Sequence, residues 1–154
     1  MINKLGKFKD LKFEKFFEGE VIAKGNLIVF YPNKTIKDLY VVFKGVFKNN
    51  KLKLIEKYIE NEKETIRNWS FEKQSNNYFI GTENNVKGKI IVRINKNHLK
   101  MKYYFKLLIW KFSITVLVND HMFLINDNEI INTTYVSKFG INLAKVVLLY
   151  KKKS

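Results

Sequence analysis

Three ionisable side chains fall where an alternating chain puts its core. Leu52, Leu54, Glu56 and Tyr58 share one parity, and so do Thr65, Arg67, Trp69 and Phe71, so Glu56 and Arg67 face inward if both runs are strands. A hairpin turning at Asn61-Glu62 then sets Glu56 opposite Arg67 and Leu54 opposite Trp69. Asp120 shares parity with Phe112, Ile114, Val116, Val118 and Met122, so a second carboxylate points the same way. A lone charge in a core is strongly destabilising, and the expectation is therefore a cross-strand ion pair of Glu56 with Arg67.

Three readings of this cluster stand side by side. With Trp69, Met122 and Asn132 added, Glu56, Arg67 and Asp120 make the polar end of a cavity for a small apolar or lipid-like ligand that is bound without catalysis. Alternatively, an acid held protonated by burial, Glu56 or Asp120, is the general acid or base of an enzyme acting on a lipid or small hydrophobic substrate. The third reading is structural: a hydrogen-bonded network that fixes strand register.

Other chemistries lack their residues. His98 and His121 are the only histidines, cysteine is absent, and no His-x-x-x-His spacing occurs, so no metal site is expected. His121 follows Asp120 directly, and strand neighbours face opposite ways, which denies them a dyad unless a bulge intervenes. Ser137, in Val136-Ser137-Lys138-Phe139-Gly140, sits in no nucleophile elbow, and its expected place is the turn or bulge that Gly140 permits. Gly19, Gly25, Gly45, Gly81, Gly88 and Gly140 are too dispersed to cradle a phosphate, and no cofactor is expected.

The elements that must hold the cluster are strands. Period-two alternation marks Val21 to Phe30, Thr35 to Phe47, Lys51 to Ile59, Thr65 to Phe71, Tyr78 to Thr82, Val86 to Ile94, Leu99 to Leu107, Phe112 to Val118, Glu129 to Ser137 and Ile141 to Tyr150. Pro32-Asn33, Asn49-Asn50, Asn76-Asn77, Asn84-Asn85, Asn95-Lys96-Asn97 and Asn126-Asp127-Asn128 supply turns between them. Phe8 to Phe17 reads as a helical turn or two, on the spacing of Phe8, Leu11, Lys12 and Lys15, or as an extended lead-in.

At 154 residues the chain is expected to be one domain, with 1–16 as lead-in, burying roughly two-thirds of its unfolded surface. Short loops between sequential strands predict an all-β, antiparallel up-and-down barrel of about eight to ten strands, whose closure removes exposed edges. A barrel of that size has room for one small ligand or fills itself with side chains. Phe43, Phe47, Tyr58, Phe71, Tyr103 and Phe105, with Trp69, either line such a cavity or pack the core.

Lys and Arg total 29 against 14 Asp and Glu, for a net charge of +15. Nearly all the cations are lysines, since Arg67 and Arg93 are the only arginines, and the chain is also crowded with asparagine and isoleucine. That pattern reads first as a solvated surface shaped by A- and T-rich codons. Base and phosphate readers favour arginine forks, so nucleic acid is not the expected partner, while a weak association with an anionic membrane surface stays a candidate. The longest apolar stretch, Leu107 to Val118, is broken by Lys111 and falls short of the roughly 20 residues that cross a bilayer. No signal-length apolar run or lipid-anchoring cysteine is visible, which sets the expectation of a cytoplasmic protein.

A family resemblance runs along these residues. Phe17-Glu18-Gly19 through Gly25, Leu54-x-Glu56, Arg67-x-Trp69, Tyr78-x-x-Gly81-Thr82, Asn85-Val86-x-Gly88, Asn119-Asp120-x-Met122-x-Leu124, Asn132 and Ser137-Lys138-Phe139-Gly140 resemble the bacterial domain-of-unknown-function family 3833. The resemblance implies a lipocalin- or calycin-like antiparallel barrel with no established activity. Many relatives look like lipoproteins, with a signal and an anchoring cysteine that this sequence does not show. Two positions depart from the family pattern: His121 stands where a tryptophan is usual and Thr133 where an arginine is usual, which points to a different ligand if either lines a pocket.

Overall fold

The computed structural model describes residues 9–153 apart from 61 and 110, so Asn61 of the expected turn and the first eight residues of the lead-in lie outside the described residues. The chain runs α1 (Phe13–Phe17), β1 (Gly19–Val29), β2 (Thr35–Lys48), β3 (Lys51–Glu60), β4 (Lys63–Ser75), β5 (Tyr78–Thr82), β6 (Val86–Asn95), β7 (His98–Ile109), β8 (Phe112–Asn126), β9 (Glu129–Lys138) and β10 (Ile141–Lys152). Each strand pairs antiparallel with its sequence neighbours and β10 returns onto β1, closing an all-β barrel in which every strand has two partners. The register matches the hairpin expectation, with Glu56 opposite Arg67 and Leu54 opposite Trp69.

β8 continues from Val118 through Asn119-Asp120 to Asn126, as the shared parity of Val118, Asp120 and Met122 expects. Those two residues have turn chemistry, but in a closed barrel their backbone groups are paired on both sides, with Lys102 and Met101 of β7 and with Tyr135 and Thr134 of β9. Tertiary pairing overrides local preference here.

The two ends of the barrel are built differently. At the base the hairpin turns are asparagine-rich, and Asn49 and Asn50 both take positive φ (51° and 64°), the tight turn that asparagine tolerates better than most residues. A helix as short as α1 cannot hold itself, so packing and hydrogen bonds fix it across this end as a plug. It buries Phe13, Phe16 and Phe17 together with Leu11 just before it; of the spacing read from sequence Leu11 is buried, Lys12 and Lys15 are exposed, and Phe8 lies outside the described residues. The Phe13 ring meets Phe17, Phe71 and Phe79 edge-on at 5.4, 5.0 and 5.1 Å. Lys73 pairs with the buried Glu14 at 2.8 Å, Lys152 donates to the Phe16 carbonyl at 2.8 Å, and Leu11 N–H donates to the Lys96 carbonyl at 2.9 Å. Gly45 makes room on β2 for this plug, since a Cβ there would stand 1.9 Å from the Phe17 carbonyl oxygen.

At the opposite end, the mouth, the loops between β1 and β2, β7 and β8, and β9 and β10 leave Tyr31, Leu108, Phe112, Phe139 and Ile141 exposed. Between the two ends the inner wall carries apolar side chains, while the outer wall mixes lysines with exposed apolar residues such as Ile55, Ile66 and Tyr104. Among the described residues no helix is long and apolar enough to cross a membrane.

Candidate functional site

The interior is packed near the plug and hollow toward the mouth. An inner cavity of about 250 Å³ has Phe13 and Phe17 as its floor, and an outer cavity of about 810 Å³ reaches Tyr31, Pro32, Phe139 and Ile141 at the mouth. Arg67, Tyr58, Tyr103, Thr134, Leu27 and Val146 line both, so the two chambers meet at a waist. The outer chamber is otherwise mostly aliphatic, while the polar groups gather at the waist and in the inner chamber.

Strand parity and register bring the polar groups together. Glu56 comes from β3, Arg67 and Trp69 from β4, Asp120 and Met122 from β8, and Asn132 from β9, and all six line the inner chamber. Asp120, Met122 and Asn132 are buried, and β8 pairs Met122 with Asn132 and Asp120 with Thr134. Asn132 Nδ2 donates to Asp120 Oδ1 and, at 2.9 Å, to the His121 carbonyl. Thr134 Oγ1 donates to the same Asp120 oxygen at 2.9 Å, and Tyr150 OH donates to Asn132 Oδ1 at 3.2 Å. Both bonds to Asp120 land on Oδ1, which leaves Oδ2 without a donor among the described residues.

The expected direct ion pair is not the arrangement found. Glu56 Oε1 accepts a hydrogen bond from Trp69 Nε1 at 3.2 Å, while the Arg67 guanidinium lies over the Phe105 ring at 4.6 Å. Arg67 Nε is buried without a partner. The β strands set the two side chains opposite each other, but each takes an aromatic neighbour, so Arg67 acts on Glu56 as a nearby charge rather than as a bonded partner.

Burial decides the protonation of this cluster. It raises the pKa of Glu56, against the opposing pull of Arg67 and the Trp69 hydrogen bond. It raises Asp120 from 3.8 to about 6, although the bonds from Asn132 and Thr134 favour the carboxylate. Tyr103 and Tyr150 are pushed well above the ordinary phenol value, first by burial and then by Asp120 and Glu56. The site therefore offers one fixed cation and two acids whose ionisation is weakened, so a ligand group bound there meets both donors and acceptors.

The aromatic series divides: Phe43, Tyr58, Phe71 and Tyr103 line the inner chamber, Phe105 the outer one, and Phe47 packs against the core. Thr134 and Tyr150 belong to the cluster although sequence reasoning did not name them; the parity of Ile130, Asn132, Thr134 and Val136 was the available signal. The histidines also hold a surprise. His98 Nε2 and His121 Nδ1 lie 2.9 Å apart on the outer wall, and His98 stacks on Phe123 at 4.4 Å. The register that sets Lys100 opposite His121 makes them diagonal neighbours. Burial and then Lys100 lower the His98 pKa, and burial, His98 and Lys100 lower that of His121. Among the described residues no three His, Cys, Asp or Glu side chains gather to hold a metal.

A family model described as a protein of unknown function, DUF3833, matches residues 4–152. The chain belongs to the DUF3833 family. No match was found among curated proteins. Among solved structures, this DUF3833 barrel is similar to the S-type phycobiliprotein lyase CPES from Guillardia theta, with a TM-score of 0.66 over 94% of each chain and 4% sequence identity. At that identity the likeness shows a shared lipocalin-like barrel and carries no residue across. His121 and Thr133 do not line either chamber.

Proposed function

We propose that the barrel binds a small apolar or lipid-like ligand without transforming it, head inward. The ligand's polar head sits among Glu56, Arg67, Asp120 and Asn132, and its apolar body fills the outer chamber toward the mouth. The observation that carries this reading is the continuity of the cavity through the waist at Arg67, from an aliphatic chamber to a polar one. Arg67 with an unpartnered Nε calls for an acceptor, and the Glu56 and Asp120 carboxyls offer oxygens to a donor. The matching head is one with both, such as a hydroxyl, a glycerol ester or an amide.

Titration with dodecanol, followed by Trp69 fluorescence, tests it. Wild-type protein is expected to saturate, and Arg67→Gln to bind about tenfold more weakly, the loss of one well-made polar contact in a closed site. Equal affinity of the two folded proteins, or no saturable binding by wild type, would contradict the proposal.

One observation favours a second reading. Asp120 opens onto the chamber with its pKa near 6 and is not locked to Arg67, as a general acid or base acting on a lipid would need to be. Unchanged monolaurin after prolonged incubation with wild-type protein removes this reading, and turnover that Asp120→Asn abolishes while binding persists establishes it.

A further inference from the structure

The mouth carries an apolar rim that the interior does not need. Phe139 is 90% exposed, Leu108 77%, Phe112 75% and Tyr31 68%, and all four stand on loops or adjoining strand ends at the same end of the barrel. Their three loops are neighbours around the rim, because β1, β10, β9, β8 and β7 follow one another in the barrel wall. Scattered exposed apolar residues are ordinary, but a contiguous arc of large ones marks a surface with a partner.

Charge identifies the partner. Lys34 and Lys111 sit on those same loops and Lys106 and Lys138 on the strand ends beside them, and residues 29–37, 106–113 and 136–142 contain no aspartate or glutamate. Lys138 Nζ lies 4.7 Å from the centre of the Phe139 ring, which places a cation directly beside the most exposed aromatic. Across the mouth the remaining turns mix the two signs, with Lys63 between Glu62 and Glu64 and Lys87 after Glu83, so the stretches free of acids are confined to the apolar arc. Aromatic and aliphatic side chains interleaved with lysines are what the boundary of an anionic bilayer accommodates: rings and aliphatic tips enter the acyl edge while ammonium groups stay among the phosphates.

We propose that this arc docks the barrel on an anionic lipid surface with its mouth against the bilayer. The docking goes beyond the ligand reading and does not rest on it, since the arc is exposed whether or not the cavity is filled. Where both hold, the outer chamber opens directly onto the acyl region.

Co-sedimentation with vesicles of phosphatidylcholine and phosphatidylglycerol in equal amounts, and with phosphatidylcholine alone, tests the proposal on the full chain. Three variants complete it: a rim apolar variant (Leu108→Ser, Phe112→Ser, Phe139→Ser), a rim charge variant (Lys34→Gln, Lys106→Gln, Lys111→Gln), and a base-end charge control (Lys15→Gln, Lys48→Gln, Lys53→Gln). Circular dichroism confirms that each is folded. Wild type is expected to sediment with the anionic vesicles and at least tenfold less with the zwitterionic ones. Both rim variants should lose at least tenfold in partitioning, while the base-end control keeps wild-type binding. Three results overturn the proposal: no binding to anionic vesicles, equal loss in the base-end control, which would mean diffuse attraction of a basic protein, or self-association through the rim without vesicle binding. The dodecanol titration is run apart from vesicles, so failure of docking and failure of ligand binding are read independently.

Discussion

The base and the mouth of this barrel spend the same kinds of residues in opposite ways. At the base, three phenylalanines and one leucine of the lead-in and helix are buried, and the turns beside them are rich in asparagine. At the mouth, the turns carry the aromatics and the interior beneath them is empty. A barrel needs only one closed end to be stable, because closure already satisfies every strand edge and a single packed half supplies the hydrophobic term. The open half is then free to be shaped by something other than stability. Between them, the waist mixes both characters, with a buried polar network facing a cavity.

Substitutions should respect this division. The largest effect is expected at the plug: Phe13→Ala removes a ring that meets Phe17, Phe71 and Phe79 and should cost about 3–5 kcal/mol in urea denaturation. A cost below about 1 kcal/mol would mean the base is not the packed half. Next comes the waist, with its sign reversed. Asp120 has its folded pKa raised from 3.8 to about 6, so its ionised form destabilises the fold. That penalty is absent below the unfolded pKa, grows as pH rises through the interval, and is complete above the folded one. Asp120→Asn should therefore stabilise the protein by about 2–3 kcal/mol at pH 7.5, and the gain should vanish near pH 3.5, as thermal melts at the two pH values would read. Tyr150→Phe, which removes the donor to Asn132 Oδ1, should cost about 1 kcal/mol by the same denaturation. The smallest effect belongs to the mouth: Leu108→Ser and Phe139→Ser should each stay within about 0.5 kcal/mol of wild type, because neither side chain is packed. A large loss there would erase the contrast between the ends.

Much of this was legible in the chain because a barrel strand announces both its faces. The register that sets Glu56 opposite Arg67 followed from parity and one turn, and the inward aim of Asp120 and Met122 followed from parity alone, while Asn132 came with the family resemblance. Rotamers did not follow. Parity places a Cβ, but whether Glu56 reaches Arg67 or Trp69 depends on which neighbour fills the space beside it, and Phe105 takes the guanidinium. Cavity volume was also out of reach, since it is the difference between the space inside a ring of strands and the side chains that enter it. The His98 and His121 contact was within reach, because the β7 to β8 hairpin fixes their diagonal, but each was weighed alone. The helical turn within Phe8 to Phe17 was read, but its buried face was not: one helical turn has too little periodicity to show a face, and Phe13 is inside because the helix packs across the barrel end.

The claim on which the functional account rests is that a ligand lies head inward at the Arg67 waist with its tail toward the mouth. Bromine quenching of Trp69 measures this directly, using Trp110→Phe protein, which keeps Trp69 as the single tryptophan. Trp69 belongs to the inner chamber, beside Glu56. Saturating 2-bromododecan-1-ol should quench its fluorescence severalfold more than saturating 12-bromododecan-1-ol, because the brominated carbon next to the hydroxyl lies at the waist. Equal quenching by the two, or stronger quenching by the tail-brominated alcohol, would contradict the account.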